Sequence, residues 1–147
     1  MIPLSPNLAR QQLLDTVIEL THLSRAQRAI VVGGDSLALC VDLQYRGFLR
    51  VVTPGTCPVA RGQHTIGIIA GPHSMQELVP AIASLVRYLD TTAVVAVLID
   101  SLECGVSLKV RALLEQLGFR IEAGVRCQQG FVLSARRQNA ESMAKAA

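Results

Sequence analysis

A first set of polar residues with chemical potential follows an apolar run, in a turn with two glycines. Gly33, Gly34, Asp35 and Ser36 come directly after the apolar residues 29–32. Backbone amides at the start of a helix can hold an anion, although the Asp35 carboxylate would oppose one. The alternative is structural, because Asp35 or Ser36 is also a good cap for a following helix.

A second polar turn follows another apolar run. Gly71, Pro72, His73 and Ser74 come after residues 65–70. Since the imidazole of histidine titrates near neutral pH, His73 is a candidate catalytic acid or base. The alternative is a solvated turn histidine beside a helix that Ser74 caps.

The remaining candidate groups are two carboxylates and four thiols. Asp100 and Glu103 follow a long apolar run and could bind a cation or a basic substrate, or simply form a polar loop. The cysteines form no C-x-x-C pair: Cys40, Cys57, Cys104 and Cys127. We therefore predict no metal site. With no export signal, we expect reduced thiols and a cytoplasmic protein.

The composition limits the function classes. The chain has 147 residues, of which 50% are hydrophobic and 17% charged, and it carries a net charge of +3. No apolar run approaches the roughly 20 residues of a membrane span, so we predict no membrane partner. Several arginines look scattered along the sequence: Arg50, Arg61, Arg120, Arg126, Arg136 and Arg137. With aromatics at 3%, this argues against a nucleic-acid partner.

Apolar periodicity and turn residues predict ten elements in the order helix, β, α, β, β, α, β, α, β, β. The predicted strands are residues 29–32, 48–53, 65–70, 92–99, 119–127 and 131–136. Such alternation gives an α/β fold: a doubly wound, mostly parallel sheet with helices on both faces. The last two strands form a hairpin, which makes one strand antiparallel. We predict one domain over residues 1–137 and a flexible tail over 138–147.

Local signals add detail to the helices and connections. The second helix is expected to bury one face: Leu37, Cys40, Val41 and Gln44. Ser107 is a candidate cap for the last helix. Pro80 lies inside the third helical pattern, so that helix is kinked or begins near Val79. His22 and His64 are interpreted as surface connectors.

The last third of the chain resembles the carboxyl-terminal end of class I S-adenosylmethionine-dependent methyltransferases. The resemblance rests on the helix end Leu113–Phe119, a strand to Cys127 and a final strand over 130–137. In that family the final strand runs antiparallel inside the sheet. The pattern extends over about residues 28 to 137. It implies an S-adenosylmethionine site made by these residues: Gly33, Gly34, Asp35, Ser36, Thr53, Gly71 and Pro72. It also puts His73 where substrate and cofactor meet.

The chain departs from the family at chemical positions. The family has an acidic residue before a Gly-x-Gly-x-Gly turn, whereas this chain has Val31, and its glycine positions are occupied by Gly33, Asp35 and Leu37. Thr53 stands where the family has an acidic residue for the ribose hydroxyls. The segment after Thr53 is too short for the usual helix and edge strand, so the sheet is expected to lose that strand.

Three functions remain open. The first is a shortened methyltransferase that binds S-adenosylmethionine. The second is a binding or assembly module that has lost the cofactor, and it is expected to form a homo-oligomer through the exposed strand at 48–53. The third is a nucleotide-binding module that uses the Gly33-Gly34 turn. In the first and third cases the partner is a small molecule.

Overall fold

The computed structural model describes residues 6–54, 60–70, 75–99, 105–127 and 130–138. The four helices are α1 (Pro6–Thr21), α2 (Ser36–Tyr45), α3 (Met75–Val86) and α4 (Val106–Gln116). The six strands are β1 (Ala29–Val32), β2 (Val51–Val52), β3 (His64–Ile69), β4 (Leu89–Ile99), β5 (Phe119–Cys127) and β6 (Gly130–Arg137). Within these ranges, the elements follow the order that the sequence predicts.

All six strands join one sheet in the order β2-β1-β3-β4-β6-β5. The first four pair in parallel, and β6 runs antiparallel to both β4 and β5. The predicted fold class, with its inserted antiparallel strand, is confirmed. In the described part of the chain, β2 forms one edge of the sheet, as expected from the short segment after Thr53.

Strand β2 is much shorter than the predicted 48–53. The Phe48 N–H donates to the Leu43 carbonyl at 3.1 Å and so belongs to the end of α2. The Arg50 carbonyl accepts from the Ala29 N–H at 3.2 Å. Regular pairing with β1 therefore starts only at Val51.

Helices cover both faces of the sheet and bury two aliphatic cores. One core lies under α1 and α2 and includes Leu14, Val17 and Leu43. The other lies under α3 and α4 and includes Ile82 and Leu114. From Ala93 to Ile99, β4 is buried at every residue because it lies between the two layers.

The buried face of α2 differs from the predicted one. Leu39, Cys40 and Leu43 are buried, while Leu37 and Val41 are 57% and 40% exposed. The spacing of Leu39 and Leu43 turns that side toward the sheet, which leaves the Leu37 side in solvent. Cys40 and Cys127 are both buried, as predicted for small core residues.

Two other local predictions are wrong and one is refined. Helix α4 is capped by Gly105, whose φ of 84° favours glycine, and Ser107 lies inside the helix. His64 is not a surface connector, because it lies buried in β3 with its Nδ1 3.2 Å from the Tyr88 carbonyl. Helix α3 begins at Met75 and continues through Pro80 rather than beginning near Val79.

Candidate functional site

A cleft of about 640 Å³ opens at the carboxyl end of β1, opposite the first two turns of α3. The described residues that line it are Gly33, Gly34, Asp35, Gln76, Glu77, Pro80 and Ala81. Open α/β sheets bind ligands outside the carboxyl ends of their strands, where neighbouring connections diverge. The volume lies within the usual range for small-molecule sites, about 300–1,000 Å³.

The turn after β1 depends on glycine. Gly33 has a φ of 112°, a conformation that residues with a Cβ rarely adopt. The Ser36 N–H donates to the Gly33 carbonyl at 3.2 Å and closes the turn. The two consecutive glycines therefore bring bare backbone to the wall of the cleft.

Asp35 occupies the N-cap position of α2 but does not cap the helix with its side chain. Its carboxylate accepts a hydrogen bond from Arg10 Nη1 at 3.2 Å instead, while Arg10 Nε donates to Asp42. The predicted capping role of Asp35 is therefore wrong. Arg10 therefore links α1 to α2 at two positions, the N-cap residue Asp35 and Asp42 in the second turn.

The arginine that holds Asp35 is itself partly buried. Burial opposes its charge, but hydrogen bonds to Asp42 and Asp35 outweigh burial and raise the pKa of Arg10 above its usual value. Arg10 Nη2 is buried and has no hydrogen-bond partner among the described residues. One guanidinium nitrogen thus remains to be satisfied next to Asp35.

The end of β2 is closed by two hydroxyls. Thr53 is 4% exposed, and its Oγ1 donates to Ser36 Oγ at 3.4 Å. Near it, Gln44 Nε2 donates to the Val51 carbonyl at 3.1 Å. Neutral hydroxyls therefore occupy the place where the resemblance leads one to look for a carboxylate.

The structure brings together part of the predicted site. Gly33, Gly34 and Asp35 line the cleft, and Ser36 and Thr53 pair beside it. The other predicted residues lie outside the described residues: Gly71, Pro72, His73, Ser74, Asp100, Glu103, Cys57 and Cys104.

Sequence reasoning missed the α3 side of the cleft. In sequence, Pro80 is only a helix-breaking signal, and Gln76 and Glu77 are not among the candidate site residues. The signal that could have found them is topological, because a helix that follows β3 begins at the same end of the sheet as the turn after β1. Arg10 was missed because its partners lie 25 and 32 residues away.

Two searches of the described residues gave no sites. No group of three or more His, Cys, Asp or Glu side chains in these ranges could hold a metal ion. Likewise, none of the described helices is both long enough and apolar enough to cross a bilayer.

Comparison with solved structures gives many matches to the fold. A methyltransferase from Aquifex aeolicus, named as S-adenosylmethionine-dependent, matches with a TM-score of 0.62 and 11% identity over 91% of this chain and 99% of its own. A ribosomal protein L11 methylase from Lactobacillus delbrueckii subsp. bulgaricus matches with a TM-score of 0.61 and 16% identity, over 88% and 79%. No protein-family model matches the chain, and no curated protein matches it significantly.

The sheet order and these matches decide the architecture. The chain has the fold of class I S-adenosylmethionine-dependent methyltransferases. A methyltransferase fold does not by itself mean methyl transfer. A [4+2]-cyclase, SpnF, matches equally well, with a TM-score of 0.63 and 14% identity over 93% of this chain and 84% of its own.

Within this methyltransferase fold, the described cleft fits one end of the family's cofactor better than the other. S-adenosylmethionine has a sulfonium cation, an ammonium group and one carboxylate, so its net charge is positive, and the cleft offers the carboxylates of Asp35 and Glu77. Bare glycine backbone at Gly33 and Gly34 permits a close approach. The Thr53 and Ser36 hydroxyls stand where the family has a carboxylate, and these two described residues offer neutral hydrogen bonds.

Proposed function

We propose that this protein binds S-adenosylmethionine in the cleft between the β1–α2 turn and α3. The observation that carries the proposal is the charge of the cleft lining. Among the described residues that line it, two of seven, Asp35 and Glu77, are acidic, and none of the seven is basic. A ligand with a positive centre suits such a lining better than a neutral or anionic one.

The same observation argues against the nucleotide-binding alternative. ATP and NAD carry several negative charges on their phosphates, and carboxylates that face them would raise the free energy of the complex. Arg10 offsets part of the Asp35 charge, but it lies behind that residue and is not itself a lining residue. Glu77 adds its charge from the opposite wall.

The proposal assigns separate roles to the walls of the cleft. Gly33 and Gly34 have no side chain beyond the backbone, so the methionine end of the ligand would come close to them. Asp35 and Glu77 would stabilise its cationic groups. Ser36, beside the cleft, would bind a neutral hydroxyl of the ribose, and the buried Thr53 would hold the Ser36 hydroxyl. S-adenosylmethionine supplies an electrophilic methyl group wherever it is bound, and this proposal concerns its binding alone.

Isothermal titration calorimetry with two ligands tests the proposal. S-adenosylmethionine has the sulfonium cation, and S-adenosylhomocysteine has a neutral thioether in its place. We expect both to bind. We expect Glu77→Gln to weaken the first by about tenfold, since one charge contact is worth about 1–2 kcal/mol in a partly exposed site. The affinity for S-adenosylhomocysteine should change less in the same variant.

Glu115→Gln is the matched control, because Glu115 is an exposed carboxylate near the end of α4, away from the cleft. It should leave both affinities unchanged. Absence of heat with both adenosyl ligands would contradict the proposal. Tighter binding of ATP or NAD than of S-adenosylmethionine would favour the nucleotide-binding alternative instead.

We propose self-association as a second function, because a specific surface favours it. The outer side of α2 exposes a row of large apolar side chains, Leu37, Val41 and Tyr45, and Tyr45 is 88% exposed. Leu49, 75% exposed, follows in the connection to the edge strand β2. Exposed apolar patches of this kind mark interaction sites.

The charges around this row fit a second copy of the chain. Acidic Asp35 lies at its amino end, and basic Arg46 and Arg50 lie at or beyond its carboxyl end. Within the chain, Asp35 also pairs with Arg10, and Arg46 with Asp15. Two α2 helices packed antiparallel about a two-fold axis would therefore place opposite charges together.

Light scattering coupled to size exclusion tests self-association. We expect a dimer mass at micromolar concentration and a monomer mass for Val41→Glu, which puts a charge in the middle of the row. Leu108→Glu is the control, since Leu108 is 69% exposed on α4. A monomer mass for the unsubstituted chain would exclude the dimer.

A further inference from the structure

Each of the six strands carries an exposed arginine at or just outside the same end of the sheet. These six residues, hereafter the arginine edge, are Arg28, Arg50, Arg61, Arg87, Arg120 and Arg136. The first four precede the parallel strands β1, β2, β3 and β4. Arg120 lies at the start of β5, and Arg136 at the end of the antiparallel β6. The arginine edge is therefore at the amino end of the parallel strands, opposite the cleft.

The register of the sheet fixes this alignment for four of the six: Arg28, Arg50, Arg120 and Arg136. The other two lie further out, with Arg61 three residues before β3 and Arg87 two residues before β4. Ala29 pairs with both Val51 and Ile66, and Val94 pairs with both Ile66 and Arg136. These residues share one level across the sheet, so Arg28 and Arg50 lie one residue beyond it. Since neighbouring strands are about 4.8 Å apart, six strands spread the arginines over about 24 Å.

Hydrogen bonds outside the regular ladders tie Arg61 and Arg87 to the same end. The Gly62 N–H donates to the Arg87 carbonyl at 3.1 Å. Arg28 Nη1 donates to Gln63 Oε1 at 2.8 Å, which joins the start of β1 to the start of β3. Arg137 Nη1 donates to the Leu89 carbonyl at 3.2 Å and joins the end of β6 to the start of β4.

Positive charge exceeds negative charge along the arginine edge. Of the described acidic residues in the strands there, Glu122 pairs with Arg136 at 2.9 Å, and Asp90 accepts hydrogen bonds from Thr92. Arg120 and Arg136 stand directly opposite each other in the β5–β6 register. Like charges in that position destabilise a sheet, and among the described residues Glu122 offsets this for Arg136 alone.

We propose that the arginine edge binds the phosphate backbone of a nucleic acid without reading its bases. Arginine donates two parallel hydrogen bonds to a phosphate, which makes it the better of the two basic residues for this contact. A row of guanidinium groups across the sheet suits a chain of phosphates better than the plane of a lipid surface. Of the arginines that look scattered in sequence, folding gathers four at this end: Arg50, Arg61, Arg120 and Arg136. Arg126 lies toward the other end of β5.

Fluorescence anisotropy with a labelled 12-nucleotide RNA at 50 mM salt tests this proposal. The test variant is the triple substitution Arg28→Gln, Arg87→Gln and Arg120→Gln. We expect it to lose at least about 30-fold in affinity, because each lost phosphate contact costs several-fold at low salt. All three side chains are exposed, so the midpoint of urea unfolding should stay unchanged.

The control triple removes the same charge elsewhere: Lys109→Gln, Arg111→Gln and Arg126→Gln. These residues lie on α4 and toward the other end of β5. A loss below about threefold supports the proposal, since a general charge effect would weaken both triples alike. Equal losses would overturn it.

Two further arms identify the partner. A 12-base-pair DNA duplex tests the same phosphate chemistry in double-stranded form, and binding of either nucleic acid supports the proposal. Vesicles with 30% phosphatidylserine test an anionic lipid surface. Tighter binding to the vesicles than to both oligonucleotides would overturn the proposal, as would no binding of either oligonucleotide at 50 mM salt.

Discussion

The two ends of the sheet differ in charge and in shape. At the carboxyl end, a concave cleft exposes glycine backbone and the carboxylates of Asp35 and Glu77. At the amino end, the arginine edge exposes a row of guanidinium groups. Because the strands run between the two ends, the proposed site for a cationic ligand and the proposed surface for an anionic one lie at opposite ends of one sheet.

This difference shows how topology sorts residues that are mixed along the chain. Arg28 precedes β1 and Gly33 follows it, so four residues of strand separate a basic end from the cleft. Arginines also precede β3 and β4, so these strands begin at the same basic end. In a parallel sheet, residues before strands share one end and residues after strands share the other.

The largest expected effect separates the two ends by salt. Binding of a 12-nucleotide RNA should fall about 100-fold between 50 and 200 mM salt if five phosphates are neutralised, since the slope is about −0.7 per phosphate. Binding of S-adenosylmethionine should change less than about threefold, because few counterions are released. Anisotropy and calorimetry in matched buffers measure the two. Equal salt dependence would mean that the two ends do not differ in this way.

A second test concerns the packing of the sheet between the two ends, measured as the free energy of unfolding. A Cβ at Gly67 in β3 would come within 2.9 Å of Leu85 Cδ2 and 3.0 Å of Leu89 Cδ2, both in buried side chains. We expect Gly67→Ala to cost about 2 kcal/mol of unfolding free energy. Urea denaturation measures it.

Gly124→Ala is the comparison for that substitution. Its Cβ would meet Phe131 Cζ at 2.4 Å, but Phe131 is only partly buried and its ring can rotate away. We expect a loss below about 1 kcal/mol. A larger loss for Gly124→Ala than for Gly67→Ala would show that the centre of the sheet is the more tolerant region.

A third test concerns the link between α1 and the cleft. Arg10→Met removes the cation that Asp35 and Asp42 share, and it leaves two carboxylates close together. We expect a loss of about 1–2 kcal/mol of unfolding free energy, because hydrogen bonds to charged groups are worth about that much. Arg10→Lys should restore only part of this unfolding free energy, since lysine lacks the planar guanidinium group that can bond both carboxylates. An unchanged urea midpoint for Arg10→Met would argue that the link has no energetic role.

The fold was more predictable than the site for a physical reason. Strand and helix patterns depend on near neighbours, so the apolar run at β4 and the hairpin of β5 and β6 were visible in sequence. The cleft depends on groups from distant elements, such as Arg10 with Asp35 and Gly33 opposite Glu77. The buried side of α2 was misjudged because Leu37 and Leu39 are equally apolar, and only the position of the sheet distinguishes them.

The smallest expected effect is a pH dependence of the unfolding free energy that comes from His64, at the amino end of the sheet. Burial lowers its pKa, the Tyr88 carbonyl raises it and the Arg28 charge lowers it, with a net pKa below the usual 6.5. The unfolded chain therefore takes up this proton first as the pH falls. Stability is full above about pH 6.5 and declines below it, until the folded state is protonated too.

His64→Gln should remove this part of the decline in urea midpoints between pH 7 and 5, while His22→Gln, an exposed control, should not. If RNA binds the arginine edge, its phosphates should favour the protonated imidazole and reduce the loss of stability at low pH. An adenosyl ligand in the cleft is too far away to do so, and an equal response to both ligands would contradict the separation of the two ends.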